Sequence, residues 1–367
     1  MLKVKSPGKI MLAGEWSVLE AGNLCIVTAV DKFVEASITA VDNIIFHAPD
    51  VGLQNVTGFW DGQNFSVDQA KTDEFWARFK FCFYSTQVTL QFLQEQSKKI
   101  EGFEISIKSE LSTLDTASSN FLKMGIGSSA ATTVAVCKAI LALHGLDVEV
   151  ESVQDIIFKL ACIAHYLASG KIGSGFDVAA STCQTTLAYS CFDPLFLEKA
   201  IREGLPLSYL VSMPWPSLSI EKLQLPAGLR IVVGFSGVSA STTEMIKKMH
   251  EFKTNNFDDY KSIFDDINTV VLKLILAIKK SNKADTLSLI EQNRQLLLNL
   301  SSISGVELET PVLKRMIAQA ESCGAVAKFS GAGGGDCVIA LCFDQAVVQK
   351  VKNVWTQSFI VNFQENI

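Results

Sequence analysis

Lys123-Met124-Gly125-Ile126-Gly127-Ser128-Ser129-Ala130-Ala131 is the stretch on which the fold turns. Glycines and serines stand directly before Thr132–His144, an apolar, Ala-rich run that reads as a buried helix. Glycine lets a backbone approach a ligand closely, and a helix that starts at once afterwards offers unpaired N–H groups and the positive end of its dipole. An anion is the natural occupant of such a loop, and a polyphosphate the commonest. The residues assigned to it are Gly125, Ile126, Gly127, Ser128, Ser129 and Ala130.

Two further glycine-rich stretches occur in the chain. Ser169-Gly170-Lys171-Ile172-Gly173-Ser174-Gly175-Phe176-Asp177 runs into a small-residue helix, and Ser330-Gly331-Ala332-Gly333-Gly334-Gly335-Asp336-Cys337 joins two strands. No stretch fits the G-x-x-x-x-G-K-[ST] phosphate loop, and no G-x-G-x-x-G opens an N-terminal βαβ unit, which disfavours nicotinamide chemistry. The N-terminal segment Ser6-Pro7-Gly8-Lys9-Ile10-Met11-Leu12-Ala13-Gly14-Glu15 places Lys9 between a turn signal and an apolar strand.

Bulk properties narrow the classes. The 367 residues are 48% hydrophobic and only 19% charged, enough for two lobes with large cores. With 32 basic against 38 acidic residues the net charge is −6, against a general nucleic-acid or anionic-membrane binder. The nine cysteines form no C-x-x-C pair and the four histidines no i, i+4 pair, so a zinc site is disfavoured and the thiols read as reduced. With no signal-like N-terminus and no stretch of transmembrane length, the chain reads as cytoplasmic.

In order, strands are expected at 2–13, 23–28, 32–40 and 44–47, then a polar excursion at 51–73 that could lie over a site. A long helix covers 74–96, a strand 102–108, and a Ser/Thr-rich loop 111–120 leads to the opening stretch. A helix over 150–168 and a strand over 187–192 complete this half. Prolines 194, 206, 214, 216 and 226 mark the crossing between lobes, and the division is placed at 1–205 and 206–367. The second half reads as a strand over 229–235, helices to about 322, strands at 325–329 and 338–343, a helix at 345–354 and a last strand near 359–363.

Phosphoryl transfer needs backbone donors for phosphates, a divalent cation, a positive group for the developing charge, and a group that orients or deprotonates the acceptor. The opening loop supplies the donors, and Ser128 or Ser129 a hydroxyl for Mg²⁺. Asp177 follows a glycine turn, where it can face a ligand or simply cap its helix, and Lys9 can pair with it or stabilise the transferred group. Asp336 fits a structural and a functional role equally.

These motifs, in this order, resemble the GHMP kinase superfamily: its first motif corresponds to Ser6–Gly14, its second to Gly125–Ala131 and its third to Lys328–Cys337. Within it, Lys171–Ala179, the 330–337 loop and Lys123 are similar to the phosphomevalonate kinases, whereas the sugar signature of galactokinases is missing. The resemblance implies an α+β, two-lobed GHMP kinase fold with a ribosomal-S5-like N-terminal lobe and a ferredoxin-like C-terminal lobe. It also implies transfer of the γ-phosphoryl group of ATP, with Mg²⁺, onto 5-phosphomevalonate, with no nucleic-acid or membrane partner. Lys9 and Asp177 inherit catalytic roles and Ser129 the Mg²⁺ contact; Lys123, Lys171, Ser174, Ser239, Gly331, Ala332 and Gly333 are expected to hold substrate. Ile126 stands where leucine is usual. Another enzyme of the superfamily, mevalonate kinase or diphosphomevalonate decarboxylase, and a non-catalytic sensor on the same fold are the alternatives.

Overall fold

The computed structural model describes residues 1–70, 72–115, 120–171, 173–239, 242–355 and 358–361. The N-terminal half contributes β1 (Leu2–Ala13), β2 (Leu24–Ala40), β3 (Ile44–Ala48), β4 (Leu53–Trp60), β5 (Phe65–Val67), α1 (Asp73–Glu95), β6 (Phe103–Ser109), β7 (Ser112–Asp115) and β8 (Asn120–Lys123). Then come α2 (Ser128–Leu143), α3 (Glu151–Ser169), α4 (Phe176–Cys183), β9 (Thr186–Ser190), α5 (Pro194–Arg202), α6 (Leu207–Ser212) and β10 (Ser219–Lys222).

One sheet runs β10-β9-β2-β6-β3-β4-β5, with β1 paired to β2. β2 is long enough to bind β1 along one edge while its other edge is shared, Leu24–Thr28 by β9 and Val34–Ala40 by β6. α2 and α4 pack on β1 and β2, and α1 and α3 pack against α2. Residues 130–131 and 133–141 of α2 are all buried, as an all-round apolar helix requires, and its alanines let it approach its neighbours closely.

Two sequence expectations are corrected here. The 51–73 excursion is not a loop over the site: β4 and β5 extend the sheet, with Leu53, Val56 and Phe65 buried and the Phe65 ring lying over Gly58. The 111–120 stretch is not all loop: β7 and β8 pair as an antiparallel ladder, from Ser112↔Lys123 to Asp115↔Asn120. Polar strand residues hid both.

The C-terminal half contains β11 (Arg230–Phe235), α7 (Thr242–Asn255), α8 (Phe257–Lys279), α9 (Lys283–Ser304), α10 (Pro311–Ser322), β12 (Val326–Ser330), β13 (Cys337–Cys342), α11 (Gln345–Val354) and β14 (Ser358–Val361). Its antiparallel sheet has the order β12-β13-β11-β14, the βαββαβ arrangement of a ferredoxin-like unit. Because β10 hydrogen-bonds β9 in the N-terminal sheet, we place the lobe division between Lys222 and Arg230 rather than after residue 205.

The lobes meet through buried polar contacts. Ser330 Oγ accepts from Met11 N (2.8 Å) and reaches Met11 O (3.0 Å), tying β12 to the edge of β1. Lys328 and Glu15, both fully buried, form an ion pair; Asn293 Nδ2 donates to the other Glu15 oxygen (3.1 Å), and Asn293 Oδ1 accepts from Gly14 N (3.3 Å). Burial pulls the Lys328 ammonium below the ordinary lysine pKa, and the Glu15 charge opposes that shift.

Candidate active site

Gly8 and a register shift in β1 between Pro7 and Lys9 place Lys9. A Cβ at Gly8 would fall 2.6 Å from the Ile126 carbonyl oxygen and 2.9 Å from Leu111, so only glycine lets β1 come this close. Lys9 N then donates to Ile126 O (2.8 Å), and Lys9 Nζ to Gly125 O (3.2 Å) while lying 5.5 Å from the Phe176 ring centroid. Strand and loop are stitched together at the base of the cation.

The opening stretch folds as its composition demands. Gly125 (φ 70°) and Gly127 (φ 83°) occupy the left-handed region, and Gly127 caps α2. Ala131 N is the first amide of α2 to bond back, to Gly127 O at 3.0 Å, so the amides of Ser128, Ser129 and Ala130 have no backbone acceptor among the described residues. Ile126 and Met124 are buried anchors on either side of Gly125.

The second glycine loop delivers Asp177. Gly175 (φ 77°) caps α4 and packs so tightly that a Cβ would lie 2.9 Å from Tyr189 Oη and 3.0 Å from the Phe192 ring. Asp177, in the first turn of α4 and half-buried, accepts from Val178 N through Oδ1 (2.9 Å). A Cβ on Gly127 would lie 3.2 Å from Lys9 Cγ and 3.8 Å from Asp177 Cβ, so Lys9, Gly127 and Asp177 converge on one point. Lys9 and Asp177 form no direct ion pair among the described residues, because the ammonium is turned to the Gly125 carbonyl.

The third loop closes the other side. Gly331 (φ 91°) has open space where a Cβ would stand; Gly333 (φ 78°) is pressed against Leu308, whose carbonyl accepts from Gly334 N (2.8 Å). Ala332 O accepts from Trp16 Nε1 (3.0 Å). The Asp336 side chain lies directly over Gly125, with Cγ 2.3 Å from where a Cβ would be, and Ser239 Oγ donates to Asp336 Oδ1 (3.4 Å). Cys337 Sγ donates to Met124 O (3.1 Å), and burial pushes its thiol up to about 12.

Of the expected substrate residues, Lys171 is exposed, Ser174 is buried with its carbonyl accepting from Tyr189 Oη (2.6 Å), and Ser239 stands across from Gly125 through Asp336. The Lys123 side chain lies outside the described residues, as does Ile172. His165, on α3, carries no sequence signal of its own because it sits in an apolar helical run. Its Nε2 lies 3.2 Å from Ser129 Oγ and its ring packs on Phe81 (centroids 5.1 Å apart). Burial holds its pKa below the ordinary imidazole value; Asp177 opposes this, while Lys80 and Lys171 reinforce it. Those charges therefore surround one small region.

The oxygen donors on the residues around Gly127, the hydroxyls of Ser128 and Ser129 and the Asp177 carboxylate, are of the kind that suits a hard ion such as Mg²⁺. No cluster of three or more His, Cys, Asp or Glu that could hold a metal occurs among the described residues. Mg²⁺ typically takes only one or two protein oxygens beside phosphates and water, so the donor set fits.

Residues 84–185 match the GHMP kinases N terminal domain and residues 274–361 the GHMP kinases C terminal domain. The chain is 31% identical to a phosphomevalonate kinase of Streptomyces sp. over 92% of its length and 88% of that protein. It is 30% identical to a phosphomevalonate kinase of Saccharolobus solfataricus, over 100% of its length and 98% of that protein. In fold it is similar to Streptococcus pneumoniae phosphomevalonate kinase in complex with phosphomevalonate and AMPPNP (TM-score 0.80, 24% identity, 98% of this chain and 100% of that one). The match spans both lobes and every glycine loop, and the chain belongs to the GHMP kinases.

Proposed function

We propose that the protein is a phosphomevalonate kinase: it transfers the γ-phosphoryl group of ATP to the phosphate of 5-phosphomevalonate, giving mevalonate 5-diphosphate in isoprenoid precursor synthesis by the mevalonate pathway. The observation that carries this reading is the convergence of Lys9 and Asp177 on Gly127, beside the unbonded amides of Ser128–Ala130. Full-length relatives of that name at 30–31% identity support it.

The amides of Ser128–Ala130 and the α2 dipole bind the ATP phosphates, with Gly125–Gly127 allowing backbone approach. An acceptor phosphate oxygen attacks the γ-phosphorus as the bond from that phosphorus to the ADP oxygen breaks, so the reaction has no obligatory proton to remove. Asp177 therefore serves to position the acceptor rather than to deprotonate it. Lys9 neutralises charge on the group in transit, and its bond to Gly125 O keeps the ammonium beside the loop rather than collapsed onto Asp177. Mg²⁺, when bound, would draw charge from the phosphates, and Ser129 would hold it through its hydroxyl.

Lys171, Ser174, Ser239 and Gly331–Gly333 are assigned to the acceptor, and Lys171 would offset its negative charge. Lys123 is proposed for the same role on its sequence position. Incubation with ATP–Mg²⁺ and, separately, mevalonate, its 5-phosphate and its 5-diphosphate tests the assignment. ADP release with the 5-phosphate alone is expected; release only with mevalonate or only with the 5-diphosphate overturns it, and CO₂ with the latter identifies a decarboxylase.

A further inference from the structure

We infer that His165 is a positioning residue for Ser129: its Nε2 accepts a hydrogen bond from the Ser129 hydroxyl, which leaves the oxygen lone pairs free to ligate a cation held in the loop. The inference rests on the kinase reading above and assigns a role to a side chain outside its machinery.

Ser129 behaves unlike its neighbours on α2. Thr132 and Thr133 spend their hydroxyl protons on carbonyls four residues back, Ser128 O and Ser129 O, both at 2.9 Å. The equivalent acceptor for Ser129 is Gly125 O, and that oxygen receives Lys9 Nζ instead. Ser129 Oγ turns to His165 Nε2, 3.2 Å away on α3. A serine hydroxyl left to itself rotates among its staggered positions and can aim its proton or its lone pairs at a ligand. A fixed acceptor removes that choice: with the proton held by the imidazole, the oxygen can only accept from, or ligate, what the loop binds.

His165 is built to be fixed. Its ring packs against Phe81 of α1, and Ser169 Oγ donates to its carbonyl (2.6 Å) where α3 ends. α1 and α3 pack on each other and on α2, so the imidazole is held from two helices while it addresses a third. The neutral tautomer this requires carries its proton on Nδ1.

The test uses the full chain with Mn²⁺ as the metal probe, its affinity for the enzyme–nucleotide complex read by electron paramagnetic resonance, together with ¹⁵N NMR of the histidine ring. Replacing His165→Leu is expected to weaken Mn²⁺ about 10-fold, the usual loss when an outer partner of a metal ligand is removed, with His165→Gln, whose amide oxygen reaches a similar position, recovering most of it. Ser129→Ala should weaken Mn²⁺ at least as much, and Ser129→Ala/His165→Leu no more than Ser129→Ala alone. The ring should show the Nδ1–H tautomer. Additive losses in the double variant, unchanged Mn²⁺ affinity in His165→Leu beside a weakened Ser129→Ala, or an Nε2–H tautomer each overturn the inference while leaving the kinase reading intact. Unchanged affinity in Ser129→Ala overturns both the inference and the metal assignment on which it stands.

Discussion

Replacing Gly125→Ala puts a methyl group into the most crowded point of the site. Two costs arise, and a control separates them. At φ 70° an L-residue pays roughly 1–2 kcal/mol of backbone strain. The added Cβ would also lie 2.3 Å from Asp336 Cγ and 2.4 Å from Asp336 Cβ, about 1 Å short of ordinary contact, so the phosphate loop and the third glycine loop must move apart by about that much. A misplacement of about 1 Å costs on the order of 100-fold in rate, close to 2.7 kcal/mol of barrier. Gly145→Ala serves as control: φ is 83° there but nothing stands within 4 Å, so only strain is paid, and kcat/KM should stay within about 2-fold of the parent. Steady-state kinetics with a coupled ADP assay, alongside urea unfolding of each variant, reads both costs. Asp336→Gly removes the clash, so Gly125→Ala/Asp336→Gly should lose much less than the product of the single losses. A Gly125→Ala enzyme within about 3-fold of the parent, or strict additivity with Asp336→Gly, refutes the placement of Asp336 over the loop.

Other outcomes follow from the same geometry. Asp177→Ala and Lys9→Met should each lower kcat by about 100-fold or more while the Kd for an ATP analogue, measured by calorimetry, changes little, because the α2 amides remain. Lys328→Met leaves Glu15 buried without its partner and should cost about 3–5 kcal/mol in urea unfolding, with Lys328→Met/Glu15→Gln recovering part of the loss. The Glu20 carboxyl sits below the usual range: burial alone raises it, but hydrogen bonds from Lys253 (2.5 Å) and Tyr260 (2.6 Å) and the Lys253 charge outweigh burial. A depressed carboxyl contributes stability above its unfolded pKa and loses it as pH falls through the folded one. Thermal unfolding should therefore show stability declining below about pH 4.5, with a shallower decline in Glu20→Gln.

The glycine loops were legible from sequence because each has a local backbone reason to be glycine: Gly125, Gly127 and Gly175 adopt left-handed conformations, and Gly8 lies against Ile126 O. The strands of the C-terminal half were legible because they are short apolar runs between amphipathic helices, as in Arg230–Phe235 and Cys337–Cys342, both largely buried, whereas their ferredoxin-like pairing was implied only by the family resemblance. What escaped depended on contacts between distant segments. Phe65 reads as an isolated aromatic among polar neighbours until β3 and α1 bring Phe46 and Phe83 against it, with Phe79 and Phe103 packed in turn on Phe46. His165 reads as a core residue of α3 until α2 brings Ser129 within hydrogen-bonding distance. Lys328 and Glu15 are 313 positions apart, and only the packing of β12 on the β1 side of the sheet joins them. Asp336, open to two roles from its sequence position, covers the phosphate loop because its own φ of 58° turns the chain back over Gly125.

Phosphorus NMR of the protein mixed with ATP, Mg²⁺ and 5-phosphomevalonate tests the central claim most directly. The phosphate monoester resonance of the acceptor should give way to the paired doublets of a diphosphate monoester, in step with conversion of ATP to ADP. An unchanged monoester signal while ATP is consumed and inorganic phosphate accumulates would contradict transfer onto the acceptor's phosphate.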